Sequence, residues 1–158
     1  MDKKERKNII NELFAAELQF RLATSVCMGS NLGRLPITLP SDWVEGMNST
    51  TYKELALRPD QALFASTQLE LTATMIMAMS VKKAVKFAFA DAESSTDSTV
   101  HSAFWIANMV RNAFAHDPIR PVWKIDRKCK SKTLIVPDVI EFITDGLEQY
   151  CEHFFGKR

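Results

Sequence analysis

Apolar residues recur at intervals of three and four along the first part of the chain, which is the spacing of one face of an α-helix. The stripe consists of Ile9, Leu13, Ala16, Phe20, Ala23 and Cys27. It predicts a first helix over residues 2–27. Residues 28–58 then hold three of the five glycines and two of the six prolines. This composition predicts a long surface connection, with a short helix at 51–57.

Two further helices follow. Pro59 suits the first turn of a helix, and the predicted second helix runs over residues 59–90. Its methionines are interpreted as adaptable core filler, with a partner groove or a cofactor contact as the alternative. A Ser-rich break precedes a third helix over 96–116. Because a proline disfavours the α conformation in the residue before it, Pro118 predicts that this helix ends near His116 or Asp117.

The last part of the chain predicts one hairpin and one more helix. Residues 122–126 and 132–136 favour β structure and are expected to pair. Residues 138–155 carry apolar side chains on one helical face and predict a fourth helix. The expected fold class is therefore all-α: a single domain over 1–158, built as an antiparallel four-helix bundle. A long loop follows its first helix, and a small β-hairpin precedes its last.

Composition limits the functions that the chain can have. The residues are 46% hydrophobic and 25% charged with a net charge of +1, so any affinity for nucleic acid must come from local clusters. Three widely spaced cysteines indicate a reducing, cytoplasmic setting, and no metal site is expected. The longest uncharged apolar stretch, residues 71–81, is shorter than the roughly 20 residues of a membrane span. We therefore expect a soluble protein without membrane contact.

The end of the third helix carries the most informative residues. Asn112 and His116 are about one turn apart and share a face, and Arg111 flanks them. A guanidinium can hold phosphate oxygens, and an imidazole can move a proton near neutral pH. Together these groups are suited to chemistry at an RNA phosphate. The structural alternative is that His116 only caps the helix, as a cation at its partially negative end.

Residues 110–123 resemble the HEPN superfamily (higher eukaryotes and prokaryotes nucleotide-binding). Its ribonuclease members carry Arg-x4–6-His, often with Asn after the Arg, and Arg111, Asn112 and His116 match this motif. The resemblance implies a HEPN-like helical domain and a metal-independent endoribonuclease that needs no cofactor. It also implies a toxin or a defence or stress effector, with an antitoxin protein as a further candidate partner.

The implied reaction is attack of a ribose 2′-OH on the adjacent phosphate, which leaves a 2′,3′-cyclic phosphate and a 5′-OH. In this reaction His116 acts as general base or acid. Arg111 stabilises the charge on the phosphorane, and Asn112 orients His116 or the ribose.

The side of the third helix opposite its core stripe also carries large aromatic residues. The core stripe consists of Ala103, Ile106, Ala107, Val110, Ala113 and Phe114. This second face consists of His101, Phe104, Trp105 and Asn108. Because a helix facing water would not normally present such aromatics, either the long loop or another subunit must cover them. HEPN ribonucleases are typically two-fold dimers, so the resemblance implies a homodimer with these four residues in its interface.

A cluster of cations follows the motif directly. Its members are Arg120, Lys124, Arg127, Lys128, Lys130 and Lys132. With Trp123 available to stack a base, the cluster predicts binding of an RNA backbone. The alternative is a solvated hairpin tip. Two other functions remain open: a non-catalytic HEPN module that dimerises and binds RNA or a protein partner, and a structural helical protein in which the motif is accidental.

Overall fold

The computed structural model describes residues 2–34, 42–51 and 57–147. Within these ranges the helices are α1 (Lys3–Asn31), α2 (Pro59–Ala88) and α3 (Ser98–His116). The strands are β1 (Asp42–Glu45), β2 (Asn48–Thr51), β3 (Thr133–Val136) and β4 (Ile140–Ile143). Two short 3-10 turns lie at Ala92–Ser94 and Arg127–Cys129.

The first helix begins as predicted and continues one turn further. The Asp2 side chain accepts a hydrogen bond from the backbone N–H of Lys4 at 3.0 Å, which is an ordinary N-terminal cap. The helix passes Cys27 and ends at Asn31. Gly33 then adopts a left-handed conformation, with φ +64°, which suits a residue without a β-carbon just beyond a helix end.

The second helix confirms its predicted start and lies between the other two helices. Pro59 is its first residue, and it packs against both α1 and α3. It runs antiparallel to α1: Cys27 contacts Thr67 at one end, and Lys83 pairs with Glu12 near the other. By length and composition α2 could also cross a membrane, and 33% of its most apolar window is buried. Its packing on two neighbouring helices is also that of a core helix.

The third helix is the centre of the core. The Asp97 side chain caps its start by accepting hydrogen bonds from Thr99 and Val100. It packs against α2 and also against β3. Its buried apolar side chains are Val100, Phe104, Trp105, Ile106, Ala107, Met109, Ala113 and Phe114. A helix that is apolar on most of its circumference is normally buried, and α3 follows this rule.

The four-helix bundle is wrong: the described residues form three helices and two small antiparallel hairpins. The predicted fourth helix fails at its start, because Ile140–Ile143 is a strand that pairs with Thr133–Val136. Asp138 has φ +59°, which belongs to the tight connection between these strands and not to a helix. Phe142 packs on Trp123, with ring centroids 5.1 Å apart, and so joins the core from a strand. Residues 148–155 of the predicted helix lie outside the described residues.

The predicted hairpin is also corrected. Residues 132–136 contribute a strand, but their partner is β4 and not residues 122–126. Those residues instead lie back on α3, where the Val122 N–H donates to the Ala113 carbonyl at 3.3 Å. The long connection contains a hairpin of its own, β1–β2, which turns at Gly46 with φ +60°. Of the short helix predicted at 51–57, Thr51 is in β2, and residues 52–56 lie outside the described residues.

Candidate functional site

The chain turns sharply where the motif ends. The third helix stops at His116, as predicted, and Asp117 takes an extended conformation. The Asp117 side chain accepts hydrogen bonds from the backbone N–H groups of Ile119 and Arg120, each at 2.9 Å. This local turn carries the chain around Pro118. The motif therefore lies at a defined helix end.

Two of the three motif side chains are in contact. Arg111 is exposed, Asn112 is half-buried, and an Arg111 guanidinium nitrogen donates to Asn112 Oδ1 at 3.0 Å. This contact limits the freedom of the guanidinium and leaves its remaining donors for a ligand. His116 is the last residue of α3, and its side chain lies outside what the structure describes. The contact of Asn112 with His116 thus stays a prediction.

The antiparallel packing of α2 on α3 brings three lysines beside Arg111. Arg111 lines an open pocket of about 330 Å³ together with Met79, Lys82, Lys83 and Lys86. These lysines lie in the predicted second helix and are not among the site residues predicted from the sequence. The available signal was the spacing: Lys82 and Lys86 are one turn apart and share a face, and Lys83 is next to Lys82.

Neutral groups hold two of these lysines in place. Lys82 Nζ donates to Asn108 Oδ1 at 2.6 Å and lies 5.7 Å from the centre of the Phe104 ring. Lys86 Nζ lies 5.9 Å from the same ring. Burial lowers the pKa of Lys82, and the nearby charges of Arg111 and Lys86 lower it further. The pocket therefore concentrates positive charge, and a bound anion would relieve the repulsion.

The second face of α3 is already covered within the chain. Phe104 and Trp105 are each 3% exposed. The Trp105 indole N–H donates to the Glu93 carbonyl at 3.2 Å, and the His101 ring lies 6.3 Å from the Trp105 ring. The cover comes from α2 and the turn at Ala92–Ser94. The apolar argument for a partner at His101, Phe104, Trp105 and Asn108 therefore does not hold, although dimerisation itself stays a prediction.

The predicted basic cluster is exposed at all six positions: Arg120, Lys124, Arg127, Lys128, Lys130 and Lys132. Lys128 pairs with Glu93 at 2.9 Å and lies 5.6 Å from the Trp105 ring centre. This hydrogen bond lowers the pKa of Glu93 and raises the pKa of Lys128. The stacking role expected for Trp123 is wrong, because Trp123 is buried against Phe142.

Residues with other chemistry are placed apart from this pocket. Cys27 and Cys129 are buried and not disulfide-bonded, and burial raises the pKa of the Cys129 thiol. Among residues 2–34, 42–51 and 57–147, no three His, Cys, Asp or Glu side chains form a group that could hold a metal ion. Cys151 and His153 lie outside these ranges.

Comparison with known proteins finds no relative. No model of a protein family, no curated protein and no solved structure matches the chain. The likeness to HEPN ribonucleases therefore rests on the motif in residues 110–123.

Proposed function

We propose that this protein is a metal-independent endoribonuclease of the HEPN type. The observation that carries the proposal is the position of Arg111. It is an exposed guanidinium in a pocket lined by three lysines, five residues before the histidine that ends α3. Four cations around one open pocket suit an anionic ligand, and a guanidinium can bind two phosphate oxygens at once.

The proposed reaction needs only groups that the motif supplies. His116 takes the proton of a ribose 2′-OH or returns one to the leaving 5′-oxygen, because its ordinary pKa lies near working pH. Arg111 stabilises the charge that builds on the phosphate oxygens. Asn112 accepts a hydrogen bond from Arg111 and so positions it. DNA lacks the attacking hydroxyl and is spared. We further propose a role as a toxin or defence effector, with an antitoxin protein as a candidate partner.

The proposal includes a homodimer. Five residues of helix separate Arg111 from His116 by about 140° around the axis and about 7.5 Å along it, so one helix does not aim both side chains at the same phosphate. Two α3 ends facing each other across a two-fold axis would let Arg111 of one protomer act with His116 of its partner. Sedimentation equilibrium at micromolar concentration tests this step, and a monomer would contradict it.

The main experiment measures RNA cleavage in the presence of EDTA. A 5′-labelled single-stranded RNA is incubated with the wild-type protein and with the variants His116→Ala, Arg111→Ala and Arg21→Ala. Arg21 is an exposed arginine of α1, paired with Glu17, and serves as the control for loss of one positive charge. We expect cyclic-phosphate ends, a rate loss of about 100-fold or more in the first two variants, and wild-type activity in the control.

Loss of cleavage on chelation, or cleavage that survives both motif substitutions, would exclude this mechanism. The second candidate function is a non-catalytic RNA-binding module. It is favoured by the lysines beside Arg111, which can hold phosphate without any part played by His116. In that case the protein binds RNA without cutting it, and His116→Ala binds as well as wild type.

A further inference from the structure

We propose that an RNA strand runs from Arg111 along α2 to Lys128. The phosphate path, as we call it, consists of Arg111, Lys82, Lys86 and Lys128. It rests on the proposed function for the identity of its ligand. The phosphate path differs from the basic cluster predicted after α3. Lys82 and Lys86 lie on α2 and Arg111 on α3, so Lys128 is the one residue shared by the path and the cluster.

An aromatic pair supports this row of cations. Lys82 and Lys86 lie over Phe104. Phe104 meets Trp105 edge-on at 5.4 Å, and Lys128 lies over Trp105. The lysines therefore lie over two aromatic rings that are in contact with each other. Cation–π contacts hold these lysines in place and reduce the entropy that they would lose on binding a strand.

The same arrangement decides what part of the RNA is bound. Phe104 and Trp105 are each 3% exposed, and lysine ammonium groups lie over both rings. Bases therefore have no free aromatic face to stack on at this point. The contacts are to phosphates, which carry no sequence information, so the path positions a strand without selecting its sequence.

Most of the charge along the path is not neutralised. Among the described residues, no carboxylate lies within ion-pair distance of Arg111, Lys82 or Lys86. Lys83, at the side of the pocket, is paired with Glu12 at 2.6 Å and contributes less. Burial lowers the pKa of Lys82, and the nearby charges of Arg111 and Lys86 lower it further, so these cations lie close enough to repel one another.

Glu93 is an acid that lies beside the path. It pairs with Lys128, and its pKa is also lowered by the charge of Lys86. A phosphate that binds between these two lysines must compete with this carboxylate. Removal of the negative charge by Glu93→Gln should therefore strengthen RNA binding, which is the opposite of the effect of losing a lysine.

The test uses a fluorescent single strand of 2′-O-methyl RNA, which cannot be cleaved, so that binding is measured apart from catalysis. Affinity is measured between 0.05 and 0.3 M salt for wild type, Lys82→Gln/Lys86→Gln, Glu93→Gln and the control Lys3→Gln/Lys4→Gln. The control removes the same charge from the exposed start of α1. Loss of two phosphate contacts makes the plot of log K against log salt less steep by about 1.4. If the two proteins bind equally at 1 M salt, this change corresponds to a roughly 25-fold loss of affinity at 0.1 M salt.

We expect this loss in the α2 double variant, little change in the control and tighter binding in Glu93→Gln. Equal weakening of both double variants, or weaker binding of Glu93→Gln, would overturn the path. The nuclease proposal is refuted by a different result. If the wild-type protein binds RNA through the path but does not cut it, the nuclease proposal is wrong and the path still holds. Wild-type cleavage by the α2 double variant contradicts the path alone.

Discussion

Replacement of Thr144 by valine should destabilise the protein far more than replacement by serine. Thr144 follows β4 directly and is 2% exposed. Its hydroxyl accepts a hydrogen bond from the Lys132 N–H at 2.8 Å and lies 2.6 Å from the Cys129 carbonyl and 2.9 Å from the Lys132 carbonyl. A hydroxyl has one proton, so it donates to one carbonyl at a time, and the shorter distance favours Cys129.

The magnitude follows from these contacts. Valine keeps the shape of threonine but lacks its hydroxyl. The Lys132 N–H and the buried Cys129 carbonyl therefore lose their hydrogen bonds to residue 144. A net hydrogen bond contributes about 1 kcal/mol, and an unsatisfied buried group costs about 1–3 kcal/mol. We therefore expect Thr144→Val to lower the free energy of unfolding by about 3 kcal/mol. Thr144→Ser keeps the hydroxyl and loses one methyl group, which costs about 1 kcal/mol.

The assay is urea unfolding followed by circular dichroism, supported by thermal melts. For a chain of this size 1 kcal/mol corresponds to about 2–4 °C, so the valine variant should melt about 6–12 °C below wild type and the serine variant about 2–4 °C below it. If residue 144 lay instead in the fourth helix that the sequence predicts, the free energies of unfolding of the two variants would differ by only a few tenths of a kcal/mol. A valine variant as stable as the serine variant would show that the hydroxyl does not hold this segment.

Three other predictions concern the helix cap, the surface ion pair and the thiols. Asp97→Ala should cost about 1 kcal/mol by thermal melting, because the cap of α3 is lost, whereas Asp97→Ser should restore most of it. The pKa of Glu93 is lowered and that of Lys128 raised, so the pair stabilises the fold at neutral pH. This stabilisation is lost as the pH falls through the pKa of Glu93 or rises through that of Lys128. The stability difference between wild type and Glu93→Gln, measured by urea unfolding, should therefore shrink as the pH falls below the ordinary glutamate pKa of about 4.3 and vanish once Glu93 is protonated; a difference that does not shrink on acidification would contradict it. In a Cys27→Ser/Cys151→Ser background, a colourimetric thiol reagent should modify Cys129 slowly in the native protein and fast in urea, because the thiol is buried and its pKa raised; fast native labelling would contradict this burial.

The proposed site combines local and distant contributions. Arg111, Asn112 and His116 are close in the sequence, and helix geometry alone places them on neighbouring turns. The lysines of α2 are at least 25 residues from Arg111 along the chain. Only the antiparallel packing of α2 on α3 brings them into one pocket. Because the charge of a binding site is the sum over such distant groups, a scan for short motifs could find the arginine but not its surroundings.

The three helices could be read from the sequence because their signals are local. These signals are the 3.6-residue spacing of apolar side chains, Pro59 at a first turn and Pro118 after the third helix, and each acts within a few residues. Their predicted bounds differ from the structure by four residues or fewer. Short-range interactions are enough to start and stop a helix.

The course of residues 133–147 depends on contacts that no local pattern contains. Ile140 and Ile143 have a spacing that suits a helix face. In the structure each is in β4 and pairs with a residue of β3: Ile140 with Val136, and Ile143 with Thr133. Short apolar runs of this kind are compatible with either conformation, so pairing and burial decide between them. The same holds for Phe104 and Trp105: their sequence shows large apolar rings opposite a core stripe, but the neighbouring helix and turn that bury them are determined by packing across the whole chain.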